Sequence, residues 1–209
     1  MRIIEMFHSF QGEGPHTGAR TVFIRTARCN LRCAWCDTTY SFGDGTEISL
    51  EEILRRTEGF HAKDVCLTGG EPLLQSESPE LARQLSQRGY QIVIETGGSL
   101  DISPYVRIPN VIISLDVKCP TSRMQDTLRM ENLSHLRPQD VVKFVIADRS
   151  DYEYARGFLQ EHPLPAQVVF QPVWGSHIRD LAEWTLSDQL DVRLMLQEHK
   201  FIWGDVRGH

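Results

Sequence analysis

Eight short apolar runs punctuate this chain, at 2–7, 21–26, 64–68, 91–95, 111–115, 141–146, 167–171 and 192–196, and each gives way to polar, Gly-rich or helix-patterned sequence. Runs of this length bounded by turn residues read as strands. Between many of them lie helical signals. Ser49-Leu50-Glu51-Glu52 has the form of a capping box, with Ser49 placed to accept an early backbone N–H and Glu52 to reach back, and it opens a helix to about residue 58. Ser150 and Glu153 repeat the device. Residues 79–89 carry Leu81 and Leu85 and end on Gly89, which suits a C-cap, while Ile178, Leu181, Ala182 and Leu186 fall at helical spacing. The runs 111–113 and 141–146 lack clean polar alternation, as expected of interior strands covered on both faces. Alternating strand and helix units favour an α/β fold with a parallel sheet, whose ligands gather at the carboxyl ends of the strands. With no repeats and no linker-like composition shift, a single domain over 1–209 is expected.

The loops after those strand ends carry the reactive residue types. They are 28–40, Thr68-Gly69-Gly70-Glu71-Pro72, Glu95-Thr96-Gly97-Gly98, Asp116-Val117-Lys118 and Gln171-Pro172, and all should open on one mouth. A net charge of −6 argues against a phosphate-neutralising surface, so a small-molecule substrate is expected and nucleic acid is not. There is neither a long apolar run nor a basic, apolar N-terminus, which points to a cytoplasmic protein and away from membrane and secretory readings.

Within the first loop, Cys29, Cys33 and Cys36 form Cys-x3-Cys-x2-Cys. Structural zinc takes four protein ligands, usually from two Cys-x2-Cys pairs, whereas a [4Fe-4S] cluster held by three cysteines keeps one iron open for an outside ligand. Zinc would need His8, His16, Cys66 or Cys119 as its fourth ligand, none of them at a familiar spacing. A disulfide framework fits poorly, because five cysteines cannot all pair and a chain that is 41% hydrophobic can build a core without staples. A non-catalytic zinc or iron–sulfur binding module stays as the alternative from another class. An open iron can bind the amino and carboxylate groups of S-adenosylmethionine and pass an electron to its sulfonium. Gly69 and Gly70 would let backbone approach such a ligand and Glu71 could accept from its ammonium, although Gly-Gly-Glu-Pro alone also reads as a tight turn before a helix.

Cys29-Asn30-Leu31-Arg32-Cys33-Ala34-Trp35-Cys36 followed by Thr68-Gly69-Gly70-Glu71-Pro72 resembles the radical S-adenosylmethionine superfamily. Within it, the segment 5–14 with its Gln11-Gly12-Glu13-Gly14, then Phe23-Ile24-Arg25, Cys36-Asp37-Thr38 and Gln197-Glu198-His199-Lys200, resembles the 7-carboxy-7-deazaguanine synthases from end to end. The resemblance implies a partial, open (β/α)6 barrel of parallel strands. It also implies conversion of 6-carboxy-5,6,7,8-tetrahydropterin to 7-carboxy-7-deazaguanine with loss of ammonia, a step toward queuosine and other deazapurines. Hydrogen abstraction from substrate C6, magnesium-assisted rearrangement and regeneration of S-adenosylmethionine belong to the same expectation, with the radical generated on the cofactor and no catalytic side chain.

By position, the resemblance gives Cys29, Cys33 and Cys36 to the cluster and Thr38 to magnesium. It gives Trp35, Cys36, Asp37, Gly70, Asp116, Val117, Lys118, Gln171, Pro172, Val173 and Trp174 to S-adenosylmethionine. Phe10, Gln11, Gly12, Arg25 and Thr68 go to the substrate, with His199 as a further contact. Read as residues alone, Thr38 is a turn-capping hydroxyl, Arg25 is equally a surface ion pair, and His199 is equally solvated or structural. A flavodoxin or ferredoxin electron donor and a homodimer are further family expectations. An activase that installs a glycyl radical on a partner protein shares the cysteine triad, but Gln11–Gly14 and the lack of an extra ferredoxin-like cysteine set favour the small-molecule enzyme. The chain departs from the pattern in two places. Residues 201–209 continue past the His-Lys pair, where some short relatives end and use a terminal carboxylate at the substrate, and Asp116-Val117-Lys118 stands where some have Ser-Pro-Lys.

Overall fold

A computed structural model describes residues 1–208. Its strands are β1 (Arg2–Phe10), β2 (Arg20–Thr26), β3 (Thr46–Glu47), β4 (Asp64–Gly69), β5 (Gln91–Thr96), β6 (Val111–Val117), β7 (Val141–Ile146), β8 (Gln167–Pro172) and β9 (Arg193–Leu194). They form one nine-stranded sheet in the order β3-β1-β2-β4-β5-β6-β7-β8-β9. From β2 to β9 every neighbouring pair is parallel, and β1 runs antiparallel to both β2 and β3. The ends of the sheet do not pair, so the barrel is open, as the resemblance implies.

Each expected run forms a strand, the last of them only over two residues, and the short edge strand β3 carried no sequence signal. The α-helices are α1 (Leu50–Gly59), α2 (Ser78–Gln87), α3 (Arg149–Glu161), α4 (Ile178–Ser187) and α5 (Glu198–Trp203). None is long and apolar enough to cross a membrane. Helices cover the crossovers β2 to β4, β4 to β5, β7 to β8 and β8 to β9. The regular strand-helix alternation fails at β5 to β6 and β6 to β7, where irregular chain and three short 3₁₀ turns stand in for helices. Prolines 104, 109, 120 and 138 interrupt those segments, and each removes a backbone donor and restricts the residue before it. Ile102, Tyr105 and Ile108 are nonetheless buried and cover the sheet as a helix would. The buried Asn132 side chain holds this cover in place, donating to the carbonyls of Gly98 (2.9 Å) and Leu100 (2.8 Å) and accepting from the Ile102 amide (3.2 Å).

Two capping details differ from expectation. Ser49 Oγ accepts from the Glu52 amide at 3.2 Å, but the Glu52 carboxylate turns to Arg55 and Arg56, so only half of the box forms. At α3 the cap is Asp148, which accepts from the Ser150 and Asp151 amides, while Glu153 pairs with Arg149 and Arg156. A carboxylate at that position satisfies orphan amides and favours the positive helix end, and it outcompetes the serine two residues on. Gly89 adopts φ +83° just past α2, the C-cap geometry its sequence position suggests.

The core lies between the sheet and its helices. Alternate residues Val22 and Ile24, Val65 and Leu67, Ile92 and Ile94, Val142 and Phe144 face outward into it with Ile53, Leu81, Leu85 and Phe158 from the helices. The two-residue period of a strand then sends the intervening residues to the concave face. That face is not apolar, and it makes the site.

Candidate active site

Strand register sets a row of polar side chains across the concave face. Arg25 lies beside Thr68, Glu95 beside Ser114, Asp116 beside Lys143, and Val145 beside Gln171. All of these but Ser114 floor a cavity of about 610 Å³ whose walls are the loops at the carboxyl ends of the strands. Three free thiols, Cys29, Cys33 and Cys36, open onto it from the 28–40 loop.

That loop is stitched to its neighbours through backbone. The Glu71 amide donates to the Arg28 carbonyl at 2.8 Å and the Gly70 amide to the Thr26 carbonyl at 3.1 Å. A methyl group on Gly70 would sit 2.0 Å from the Arg28 carbonyl oxygen, so only glycine permits this approach. Arg28 itself adopts φ +70°, a turn that aims the following cysteines at the cavity. The Leu31 amide points at Cys29 Sγ (3.4 Å), and the Ala34 amide bonds the Ser122 carbonyl (3.0 Å). Trp35 is fixed by its Nε1–H, which donates to Thr121 Oγ1 at 3.2 Å, and Thr121 in turn bonds the buried Asp151. Burial pushes the Cys29 and Cys33 thiols above their ordinary range; at Cys33 the neighbouring Cys36 and Asp116 add to this and Lys118 opposes it. A cationic metal centre would reverse that balance and hold both as thiolates. Among the described residues no three His, Cys, Asp or Glu side chains converge as a single-ion site. A cubane gives each thiolate its own iron and does not require such convergence.

Glu71 behaves differently from the reading of it as a free acceptor. Its carboxylate is engaged by the Leu73 and Gly97 amides (3.0 and 2.9 Å) and by the Thr96 hydroxyl, so it ties two strand-end loops together. Burial raises its pKa while those donors pull it back.

The floor is an ionic network. Lys143 Nζ lies 2.8 Å from Glu13 Oε2 and 3.3 Å from Asp116 Oδ1, and Lys118 Nζ lies 2.8 Å from Asp116 Oδ2 and 5.6 Å above the Trp35 ring. Glu13 also accepts from Gln171 Nε2 (3.0 Å) and Gln197 Nε2 (2.8 Å). Burial opposes ionisation of Glu13, but Lys143 and the two amides outweigh it and hold the carboxyl far below the ordinary range. Gln171 Oε1 is buried with no hydrogen-bond partner among the described residues, an acceptor left for a ligand N–H or O–H.

On the β1 and β2 side, Glu95 accepts from Thr68 Oγ1 (2.9 Å) and Gln11 Nε2 (3.3 Å). Gly12 packs so tightly on His199 that a Cβ there would meet its Nδ1 at 2.2 Å. Thr38 Oγ1 donates to Asp37 Oδ1 at 2.9 Å, and Asp37 Oδ2 lies 2.9 Å from Lys200 Nζ. Burial and the nearby Glu13 charge oppose ionisation of Asp37, yet Lys200 keeps it below its ordinary value.

Phe10, Gln11, Gly12, Arg25, Trp35, Asp37, Thr38, Thr68, Gly70, Asp116, Lys118, Gln171, Val173, Trp174 and His199 all line the cavity. Val117 and Pro172 do not line it, because Asp116 and Gln171 face inward and the residue after each must face the other way; Val117 sits in the core. Lys143 and Glu13 carried no assigned role in the sequence reading, and the contact of Gln171 with Glu13 was not foreseen. The usable signal was a lysine inside the otherwise apolar run 141–146.

The Radical SAM superfamily profile matches residues 23–145. The chain is 42% identical to the 7-carboxy-7-deazaguanine synthase of Thermoplasma acidophilum, with 100% of both chains covered. It is also 42% identical to the enzyme of the same name from Koribacter versatilis, with 97% of each covered. Its fold matches the crystal structure of QueE from Escherichia coli with TM-score 0.77 and 25% identity over 94% of this chain and 93% of that one. Streptococcus suis SuiB, solved bound to S-adenosylmethionine, shares the fold alone, at TM-score 0.57 and 14% identity over 81% of this chain and 48% of that one.

Proposed function

This chain belongs to the 7-carboxy-7-deazaguanine synthases of the Radical SAM superfamily, and from that premise we propose how its residues divide the work. The reaction is the conversion of 6-carboxy-5,6,7,8-tetrahydropterin to 7-carboxy-7-deazaguanine with loss of ammonia, in deazapurine biosynthesis. The observation that supports the assignment of residues is that one cavity collects the three thiols, the Gly70 turn and the polar row from Arg25 to Gln171. Cys29, Cys33 and Cys36 hold the [4Fe-4S] cluster, and the Gly70 turn, Trp35, Lys118 and the free acceptor Gln171 Oε1 surround S-adenosylmethionine. When bound, these two groups supply a one-electron cleavage of the sulfonium and hence an oxidising carbon radical.

The chain's own part is binding, orientation and charge. Arg25 presents a guanidinium to the pterin carboxylate, and Gln11 and Thr68, held by Glu95, meet the ring edge. Glu13 stays ionised and fixed by three donors, so it offers the substrate an acceptor without competing for its proton. Thr38 would lend its hydroxyl to magnesium, a hard cation suited to oxygen donors that would offset the charge of the substrate carboxylate. A flavodoxin or ferredoxin donor approaches beside the thiols, where Arg32 and Ala34 are exposed, and the protein acts as a homodimer.

Anaerobic turnover of the carboxytetrahydropterin with reductant, S-adenosylmethionine and magnesium, read by product mass, tests the assignment. Deazaguanine product with about four irons per chain supports it. An intact cluster that cleaves S-adenosylmethionine and yields no deazaguanine would reject the substrate while leaving the superfamily standing.

A further inference from the structure

Residues 204–208 form one wall of the cavity. Arg207 anchors this wall. Its Nε donates to Glu5 Oε2 at 2.8 Å and its guanidinium stacks 4.3 Å from the Tyr40 ring centroid. The other oxygen of Glu5, Oε1, accepts from Arg25 Nε at 2.8 Å and from the Tyr40 hydroxyl at 2.9 Å. Glu5 and Arg25 are both largely buried, each with a side chain 15% exposed.

The charge count around Arg25 is what makes Arg207 matter. Glu5 touches Arg25 directly, and Glu95 faces it from the cavity floor. A single guanidinium between two carboxylates has little charge to offer a third, because opposite charges at such range neutralise one another and the Glu5 pairing would tighten into a two-pronged fork. With Arg207 on Oε2, Glu5 is satisfied from both sides. Only Nε of Arg25 is then engaged, and its two terminal nitrogens donate to no other side chain or carbonyl among the described residues.

We propose that Arg207 is a positioning residue for substrate binding: by neutralising Glu5 it leaves the Arg25 charge uncompensated and its terminal nitrogens oriented and available to an incoming carboxylate. This rests on the reading of Arg25 as the carboxylate ligand. Tyr40 serves the same end, because its ring supports Arg207 and its hydroxyl fixes Oε1.

The test is steady-state kinetics of the anaerobic holoenzyme with the carboxytetrahydropterin as varied substrate. Arg207→Ala is expected to raise KM about tenfold, the scale of one charge-assisted hydrogen bond, with iron content, S-adenosylmethionine affinity and thermal midpoint unchanged. Arg207→Lys should fall between, since an ammonium neutralises Glu5 but cannot stack in the same way. The discriminating variant is Arg207→Ala with Glu5→Gln, which removes the carboxylate that Arg207 offsets and should return KM to within about twofold of the parent. An unchanged KM in Arg207→Ala, or a double variant as impaired as Arg207→Ala alone, overturns the inference, because a wall that matters only by packing gains nothing from Glu5→Gln. Arg25→Lys reads the premise separately, and an unchanged KM there overturns the role of Arg25 and the inference together.

Discussion

Replacing Lys143 by methionine would leave Glu13 and Asp116 on the floor without the cation they share. Lys143 is 7% exposed and Glu13 15%, so water cannot take its place. At about 3 Å and an effective dielectric near 20 the gross attraction is roughly 5 kcal/mol, most of which offsets desolvation of the two ions. Removing one partner of such a pair typically costs about 3–5 kcal/mol, because the other charge stays buried and unpaired. The low end applies here, since Lys118 still pairs with Asp116 and Gln171 and Gln197 still donate to Glu13. A loss of about 3 kcal/mol lowers the thermal midpoint by roughly 6–12 °C for a domain of this size.

The pH dependence has a definite sign. In the parent, the Glu13 pKa is depressed, so its contribution is complete above the unfolded carboxyl pKa and is lost as pH falls toward the folded value. In Lys143→Met burial pushes the same carboxyl above its ordinary value, so the penalty is largest at neutral pH and shrinks as pH falls and Glu13 protonates ahead of the unfolded carboxyl. Thermal unfolding at pH 7.5 and at pH 4.5 measures this, and Glu13→Gln in the Lys143→Met background should recover at least half of the loss. A midpoint that moves less than about 2 °C at pH 7.5, or a loss of equal size at both pH values, would refute the reasoning.

Three further outcomes follow from single contacts. Gly70→Ala drives a methyl into the Arg28 carbonyl, so the cysteine loop must shift; iron per chain after reconstitution should fall while the midpoint drops by about 1–3 kcal/mol equivalent. Asn132→Ala strands two carbonyls and one amide under the irregular β5 to β6 cover, for which denaturant unfolding should report about 3 kcal/mol. Thr38→Val keeps the shape and removes the hydroxyl, so iron content and S-adenosylmethionine cleavage should persist while the magnesium concentration for half-maximal turnover rises; an unchanged magnesium response would reject Thr38 as a ligand.

The strands were legible because their signal is local: a run such as 141–146 is apolar enough to announce burial on both faces. Ser49 and Gly89 were legible for the same reason, each deciding its geometry within four residues. What stayed hidden depends on competition between neighbours. Asp148 displaces Ser150 as a cap because its carboxylate accepts from the Ser150 and Asp151 amides and starts the helix two residues earlier, leaving Ser150 inside the first turn, and the missing helix between β6 and β7 is a property of prolines interrupting that segment.

The site divides along the same line, and its hidden part is the more consequential one. Cys29, Cys33 and Cys36, Gly70 and Arg25 sit in compact sequence motifs, the parts of the site that the family resemblance could reach. Their electrostatics come from partners far away in the chain: Glu13 meets Lys143 across 130 positions and Glu5 meets Arg207 across 202. No periodicity encodes such pairs: the first joins the loop after antiparallel β1 to parallel β7, and the second joins β1 to the chain past α5. One trace remains in the sequence even so. A lysine in an otherwise apolar interior strand must find an anion, because its burial alone would cost several kcal/mol. The invariably acidic answer has to come from another strand end or the loop beside it. Lys143 therefore predicts a buried carboxylate at the mouth, and Glu13 and Asp116 are where the fold supplies it.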